Sequence, residues 1–172
     1  MGRPNRQPDE EPPLLLEWGF FVDLLPFAGI NRSMKAYIDT NVVSAYVAHT
    51  PEGKTQFFQW AAVQALWETA KKRGIRFVSS RFIVEESRKG SPSAAARRLN
   101  ALRAVTLIPE TAPIRRRGAE LIEPLRGTQR YAALAPDARH YAAALACKAK
   151  YLITWDEKDF NQLEVLALAA GI

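Results

Sequence analysis

The segment KAYIDTNVVSAY at residues 35–46 decides the fold that the sequence predicts. Its apolar start, Lys35–Ile38, is typical of a short buried strand, and the strand stops at the polar residues 39–41. A helical pattern follows directly over residues 42–49. The segment therefore predicts a strand that leads into a helix, with polar side chains at the point where the two meet.

The same alternation of short apolar runs and longer helical stretches continues through the chain. Further strands are predicted at residues 75–78, 105–108 and 151–154. Further helices are predicted at residues 54–73, 81–89, 93–103, 114–126 and 137–150, with breaks at Gly74, Gly90 and Pro136. Strands that alternate with helices of this length predict an α/β protein with a parallel sheet covered by helices.

Length and composition narrow the class of protein. The 172 residues suit one domain of ordinary size, and 48% hydrophobic with 24% charged residues excludes a disordered tail or a collagen-like repeat. The single cysteine, Cys147, excludes a disulfide framework and a thiolate zinc site. We therefore expect a reducing, cytoplasmic setting, and we interpret Cys147 as a small buried hydrophobe.

Residues 1–33 differ in composition from the remainder, and we predict a domain boundary before Met34. Residues 1–13 contain four prolines among polar neighbours, which indicates a flexible leader. The apolar residues 14–30 are interrupted by Glu17, Asp23 and Pro26, too often for a membrane span, and the acidic residues before them do not fit a secretory signal. Two interpretations stay open: a leader added by an upstream start codon, or an N-terminal docking segment. The working domain is placed at residues 34–172.

Charge is distributed unevenly. The net charge is +6 overall, but residues 34–172 carry 21 basic and 13 acidic side chains, a balance of +8. Only four aspartates fall in this part, and they are Asp39, Asp137, Asp156 and Asp159. Asp39 and Asp156 follow predicted strands, and Asp137 is predicted to open a helix after Pro136, where a helix N-terminus favours a carboxylate. Helix capping is the structural alternative for Asp39 and Asp137.

Of the adjacent Glu85 and Glu86, helical spacing favours Glu86 as the functional residue. Glu85 has basic residues at helical spacing on both sides, which is typical of a solvated face, whereas Glu86 follows Phe82 and Ile83 by one turn. A carboxylate that leans toward the apolar side is costly unless it is paired or binds a metal.

The candidate acidic site consists of Asp39, Glu86, Asp137 and Asp156. Carboxylate oxygens without cysteine suit hard divalent cations such as Mg²⁺ or Mn²⁺. Because the surrounding domain is basic, the pattern indicates a polyanionic substrate whose phosphate the metal polarises.

Four motifs in the same order resemble those of the PIN-domain nucleases, and in particular the VapC-type ribonuclease toxins of prokaryotic toxin-antitoxin pairs. They are YIDTNVVSAY at 37–46, VSSRFIVEESRKG at 78–90, PDARHYAAALA at 136–146 and LITWDEKDF at 152–160. The resemblance implies a three-layer α/β/α sandwich with a central parallel sheet. It also implies a Mg²⁺- or Mn²⁺-dependent endoribonuclease that leaves a 5′-phosphate and a 3′-hydroxyl.

The resemblance also carries over individual residues. It implies catalytic roles for Asp39, Glu86, Asp137 and Asp156, and direct metal ligation by Asp39, Asp137 and Asp156. Asp159 is a competitor for the fourth acidic position, and Thr40, Asn41 and Thr154 match polar positions that orient the carboxylates. The implied partners are an RNA substrate, a cognate antitoxin and a second copy of the chain, with no membrane partner. The family usually adds a short C-terminal strand, which is either missing here or supplied by residues 163–168.

Other features leave alternatives open. His140, three residues after Asp137, is either a satisfied structural histidine, which we favour, or a group that touches substrate or moves a proton. The nearly all-apolar residues 57–67 predict a helix buried on more than one side, against the sheet and against a partner. Candidate RNA contacts, some of which are expected to be only solvated, are Arg97, Arg98, Arg103, Arg115, Arg116, Arg117, Arg130 and Arg139.

Two rival functions stand beside the nuclease. The first is a PIN-like module that binds RNA or a partner without cleaving, which the complete acidic set argues against. The second is a phosphotransfer domain, which needs a further acidic residue near the first strand, where Thr40 and Asn41 stand instead.

Overall fold

One mixed sheet forms the centre of the protein. The computed structural model describes residues 34–48 and 53–171, and the backbone of residues 20–23. Within these residues the strands are β1 (Phe20–Asp23), β2 (Lys35–Ile38), β3 (Arg76–Ser80), β4 (Thr106–Ile108) and β5 (Tyr151–Thr154). Their order across the sheet is β1-β5-β2-β3-β4. The four strands β2 to β5 pair in parallel, and β1 lies antiparallel to β5.

Helices cover both faces of this sheet. They are α1 (Thr40–Tyr46), α2 (Gly53–Arg73), α3 (Phe82–Ser87), α4 (Pro92–Ala101), α5 (Ala112–Ile122), α6 (Gln129–Ala146) and α7 (Glu157–Ala169). Short 3₁₀ turns follow α4 at Leu102–Ala104 and α5 at Glu123–Leu125. Crossovers of this kind are what parallel strands require.

The alternation of side chains along β2 divides the core into two halves. Ala36 and Ile38 face one side and pack with α1 and α2, whereas Tyr37 faces the other side and packs with α5, α6 and α7. Tyr37 and Ile38 are fully buried. The prediction of a three-layer α/β/α sandwich around a parallel sheet is thus confirmed.

Helix α6 differs most from its prediction. It begins at Gln129, after the N-cap Thr128, and contains Pro136 in its interior. Asp137 therefore lies in the middle of a helix, and the expectation that it opens one is wrong. Proline removes one helical hydrogen bond, a cost of roughly 3 kcal/mol. The helix continues because Leu134, Ala138 and the residues that follow are buried in the core, so tertiary packing offsets the lost bond.

The other predicted elements shift by a few residues or change type. The structure ends α1 at Tyr46, α3 at Ser87 and α5 at Ile122, each earlier than predicted. Residues 163–168 belong to α7, so the alternative that they supply a further strand is wrong.

The N-terminal extension is described only at β1, where four backbone residues pair with Tyr151–Thr154. The other predictions for residues 1–33 lie outside the described residues. None of the helices in the described part of the chain combines the length and apolar character needed to cross a bilayer.

Helices α5 and α6 meet at a glycine. A Cβ at Gly118 would lie 3.0 Å from the carbonyl oxygen of Ala138 and 3.2 Å from its carbonyl carbon. Both atoms belong to the α6 backbone, one residue after Asp137, so this close approach fixes how α6 lies on the domain.

We predict that Gly118→Leu destabilises the protein by about 1 to 3 kcal/mol, because a larger side chain must push the two helices apart. Chemical denaturation measures the effect. The matched control is Ala119→Leu, at the next position of α5 and exposed to solvent. Equal stability of the two variants would contradict the close approach.

Candidate active site

The site lies where β2, β3 and β5 end. Ile38 is in register with Ile153, and the N–H of Asp39 donates to the carbonyl of Ile153 at 3.1 Å. Asp39 and Thr154 are therefore neighbours across the sheet, and Ser80 ends β3 beside them. The carboxyl edge of a parallel sheet is where ligands of such folds bind.

Asp39 is buried, 5% exposed, and both of its oxygens are bonded. Oδ1 accepts the N–H of Thr40 at 2.5 Å, and Oδ2 accepts the hydroxyl of Thr154 at 3.0 Å. Burial raises the pKa of Asp39, while the charge of His140 and these hydrogen bonds oppose the rise. Asp39 also caps α1, so the structural and functional interpretations of this residue coexist.

Thr154 joins the two loops that carry the acidic residues. Its hydroxyl donates to Asp39 and accepts the side-chain amide of Asn41 at 3.0 Å and the N–H of Asp156 at 2.9 Å. The amide oxygen of Asn41 in turn accepts the N–H of Trp155 at 3.1 Å. Asn41 and Thr154 thus fix the loop after β5 against the loop after β2.

Glu86 reaches the same place from α3. Its Oε2 accepts the hydroxyl of Thr40 and lies 2.7 Å from Nε2 of His140. Burial raises the pKa of Glu86, but the hydrogen bonds from His140 and Thr40 and the charge of Lys89 outweigh it and hold the pKa below its usual value. The neighbouring Glu85 is exposed, as its helical spacing predicts.

His140 is buried at the centre of this group, 1% exposed. Nδ1 lies 2.8 Å from the hydroxyl of Tyr37, which also accepts the N–H of Ser80 at 3.1 Å. Burial opposes a charged imidazole, but Tyr37, the hydrogen bond to Glu86 and the charge of Asp39 raise the pKa of His140 to about 10. Both ring nitrogens are thus engaged within the protein, as the structural interpretation of His140 requires.

A second acidic group lies beside the first. Carboxylate oxygens of Asp137, Asp156 and Asp159 lie within 4.8 Å of one another, as do ligand atoms of Asp39, Glu86 and His140 in the first group. Asp156 caps α7 and accepts the N–H of Asp159 at 3.2 Å. Asp159 is paired with Arg130 of α6, whose Nε donates to Gln162 at 3.0 Å.

The two groups act on each other through their charges. Burial raises the pKa of Asp137 to about 7, helped by the charges of Asp39 and Asp156, with His140 opposing. Carboxylates of both groups therefore surround Asp137, and hard oxygen ligands at this spacing fit a divalent cation that neutralises them.

The structure brings all four predicted carboxylates to this edge of the sheet. Thr40, Asn41 and Thr154 lie among them. Among the described residues, Asp159 is paired with an arginine whereas Asp156 is not. Sequence reasoning missed Tyr37 as a neighbour of the site, and it named Arg130 only as a candidate RNA contact. Arg130 stands seven residues before Asp137, which is two helical turns. A helix that starts at Gln129 therefore places both residues on the same face.

Several arginines that were predicted to contact RNA are bonded to other groups of the protein. Arg98 and Arg115 donate to backbone carbonyls, and Arg116 pairs with Glu120. Arg139 forms two bonds with Glu110, at 2.5 and 2.6 Å, and its guanidinium lies 3.4 Å from the ring centre of Phe82.

The profile of the PIN domain matches residues 36–166, and the chain belongs to this family. No curated protein matches the chain. PIN domains are generally metal-dependent nucleases, so membership places the protein at a coarse level among hydrolases that use a divalent metal and act on nucleic acids.

We predict that Asp137→Asn stabilises the metal-free protein at pH 8. The carboxyl holds its proton up to about pH 7 when folded but only to about 3.8 when unfolded. The contribution of this carboxyl to the stability of the folded protein is therefore lost as the pH rises between these two values. Asp137→Asn is therefore expected to raise the free energy of unfolding at pH 8 by on the order of 1 kcal/mol, a small value because the group is partly open to solvent. The difference vanishes by pH 4.

Denaturation in the presence of a chelator, at both pH values, measures this gain. Glu68→Gln, on an exposed position of α2, serves as the control and is expected to change nothing. A destabilised Asp137→Asn protein at pH 8 would show that the folded protein does not disfavour the ionised form of Asp137.

Proposed function

We propose that this chain is an endoribonuclease that hydrolyses RNA phosphodiesters with Mg²⁺ or Mn²⁺ and acts as the toxin of a toxin-antitoxin pair. The observation that carries the proposal is the gathering of two acidic groups at one edge of the sheet, where burial, together with the charges of Asp39 and Asp156, raises the pKa of Asp137 to about 7. Such repulsion costs stability unless a cation relieves it. The same cost argues against a module that binds RNA without cleaving it.

Each side chain has a defined task in this mechanism. Asp39, Asp137 and Asp156 would hold the cation through their carboxylate oxygens, with Thr154 orienting Asp39 and the N–H of Asp159 orienting Asp156. Bound there, a divalent cation supplies the charge that polarises a phosphodiester and activates water.

Glu86 completes the site from α3, next to Asp39. Its Oε2 accepts hydrogen bonds from Thr40 and His140, which keeps it ionised and fixed in position. Glu86 therefore stays ionised and fixed next to Asp39 and His140, where it would help to position the cation or a water molecule. Asp159 stays paired with Arg130 and supports Asp156, so we assign Asp156 as the fourth acidic residue.

Two features of the chain support RNA as the substrate and a role as the toxin of a toxin-antitoxin pair. The domain from Met34 onward has a net charge of +8, which favours binding of a polyanion such as RNA. The motif order that resembles VapC-type toxins supports the toxin assignment, and a cytoplasmic setting belongs to the same proposal.

Asp39→Asn is expected to reduce RNA cleavage to background while the protein keeps its fold, because the amide has nearly the same size and keeps one acceptor oxygen but loses the charge. Glu86→Gln is expected to lose roughly 10- to 100-fold in cleavage rate. Cleavage of a panel of structured RNAs, with sequencing of the 5′ ends, measures both. Circular dichroism checks the fold.

The matched control is Glu85→Gln, one residue before Glu86 and exposed, which should cleave like the unaltered chain. Excess chelator should stop cleavage, and added Mg²⁺ or Mn²⁺ should restore it. Full activity of Asp39→Asn, or in chelator, would overturn the proposal. RNA binding without any cleavage would favour the non-cleaving module.

We also propose that the first half of α2 contacts a second copy of the chain or an antitoxin. Phe57 and Phe58 are 51% and 49% exposed, and Trp60 lies beside Phe57 with ring centres 6.0 Å apart. Trp67, in contrast, packs on Tyr46 and Phe77 at 4.4 Å from each ring, so it belongs to the core side of the helix.

Phe57→Glu is therefore expected to shift a dimer of the purified chain to a monomer without a loss of thermal stability. Light scattering at a known concentration measures the mass. Val165→Glu, which changes an equally apolar and 65% exposed position on α7, is the control. A purified chain that is already monomeric would contradict self-association.

A further inference from the structure

Three cations next to the acidic groups are already paired. Arg130 binds Asp159, Arg139 forms two bonds with Glu110, and His140 is bonded to Glu86. A phosphate that recruited any of these groups would leave a partly buried carboxylate without its partner, which is costly. An RNA phosphate near the site therefore needs another cation.

Lys89 is available for this role. It lies three residues after Glu86, and its backbone N–H donates to the carbonyl of Glu86 at 3.0 Å. Its side chain is exposed, and no carboxylate of the described residues forms an ion pair with it. Its charge nevertheless reaches Glu86 and lowers the pKa of that carboxyl. Lys89 thus follows Glu86 by one turn of the chain, and its ammonium is unpaired within the described residues.

The backbone that carries Lys89 is held firmly. Helix α3 has only six residues, so most of its last carbonyls lack helical partners. Arg98 of α4 binds two carbonyls at this end, since its Nε donates to the carbonyl of Ser87 at 3.1 Å and its second nitrogen to that of Lys89. Gly90, at a φ of 87°, ends the turn. A fixed backbone with a free side chain suits a group that receives a ligand.

We propose that Lys89 binds a backbone phosphate of the RNA beside the bond that is cut. The inference rests on the proposed function and names a substrate contact of the same site. A lysine ammonium is a point charge that any phosphate satisfies, so this contact positions RNA without reading its sequence.

The test compares Lys89→Gln and Lys89→Arg with a matched control, Lys72→Gln. Lys72 is exposed near the end of α2, which leads into the start of β3 and so lies at the opposite edge of the sheet. Fluorescence anisotropy measures affinity for single-stranded RNA in chelator over a range of salt concentrations. Steady-state cleavage with metal gives KM and kcat.

Lys89→Gln is expected to weaken binding about threefold to tenfold and to reduce the slope of log affinity against log salt by about 0.7. KM should rise while kcat stays nearly unchanged, since the lost contact is made equally by bound substrate and transition state. Lys89→Arg should keep both the affinity and the slope, and Lys72→Gln should behave like the unaltered chain. Thermal unfolding should not change in any of the three.

Wild-type affinity and slope in Lys89→Gln would overturn the inference, as would an equal loss in Lys72→Gln or no RNA binding by the unaltered chain. The failure of the proposed function is a separate result: the unaltered chain then cleaves no RNA with Mg²⁺ or Mn²⁺. A Lys89 effect on binding seen without cleavage would support the inference alone.

Discussion

The buried contact between His140 and Glu86 holds the site together. His140 comes from α6 on one face of the sheet, Glu86 from α3 after β3, and Tyr37 from the sheet between them. At 2.7 Å in a site this buried, the contact joins the helices of both layers at the point where the carboxylates gather. Because a buried ion needs its partner, neither group can move without a large cost.

The carboxylates of the second group, Asp137, Asp156 and Asp159, are less fully paired with positive charges. Asp159 is paired with Arg130, but Asp137 lies near Asp39 and Asp156, and burial together with these charges raises its pKa. Like charges therefore lie close together at the edge of the sheet where ligands bind. Unfavourable arrangements of this kind are typical of functional sites, because a bound ligand, and not the fold, relieves the repulsion.

Much of the fold could be predicted because short strands and polar strand ends are local features. The four strands β2 to β5, and the acidic residues after β2 and β5, follow from apolar runs and their stops. Helix α6 could not be placed, because its start depends on Thr128 as a cap and its passage through Pro136 depends on burial of Leu134 and Ala138. Local rules treat an internal proline as a break, whereas packing in the core decides otherwise.

The sequence by itself determined which residue types the site contains, since the four aspartates of the domain and the helical spacing of Glu86 are visible without a structure. Only the tertiary structure decided how they are paired. Asp39 and Glu86 share His140, Asp159 takes Arg130, and Asp137 remains with carboxylates on both sides. The reason is that pairing depends on distances between elements that are far apart in the chain, 54 residues for Glu86 and His140 and 29 for Arg130 and Asp159. The order of strands and the packing of α5 on α6 set these distances, and no local pattern records them.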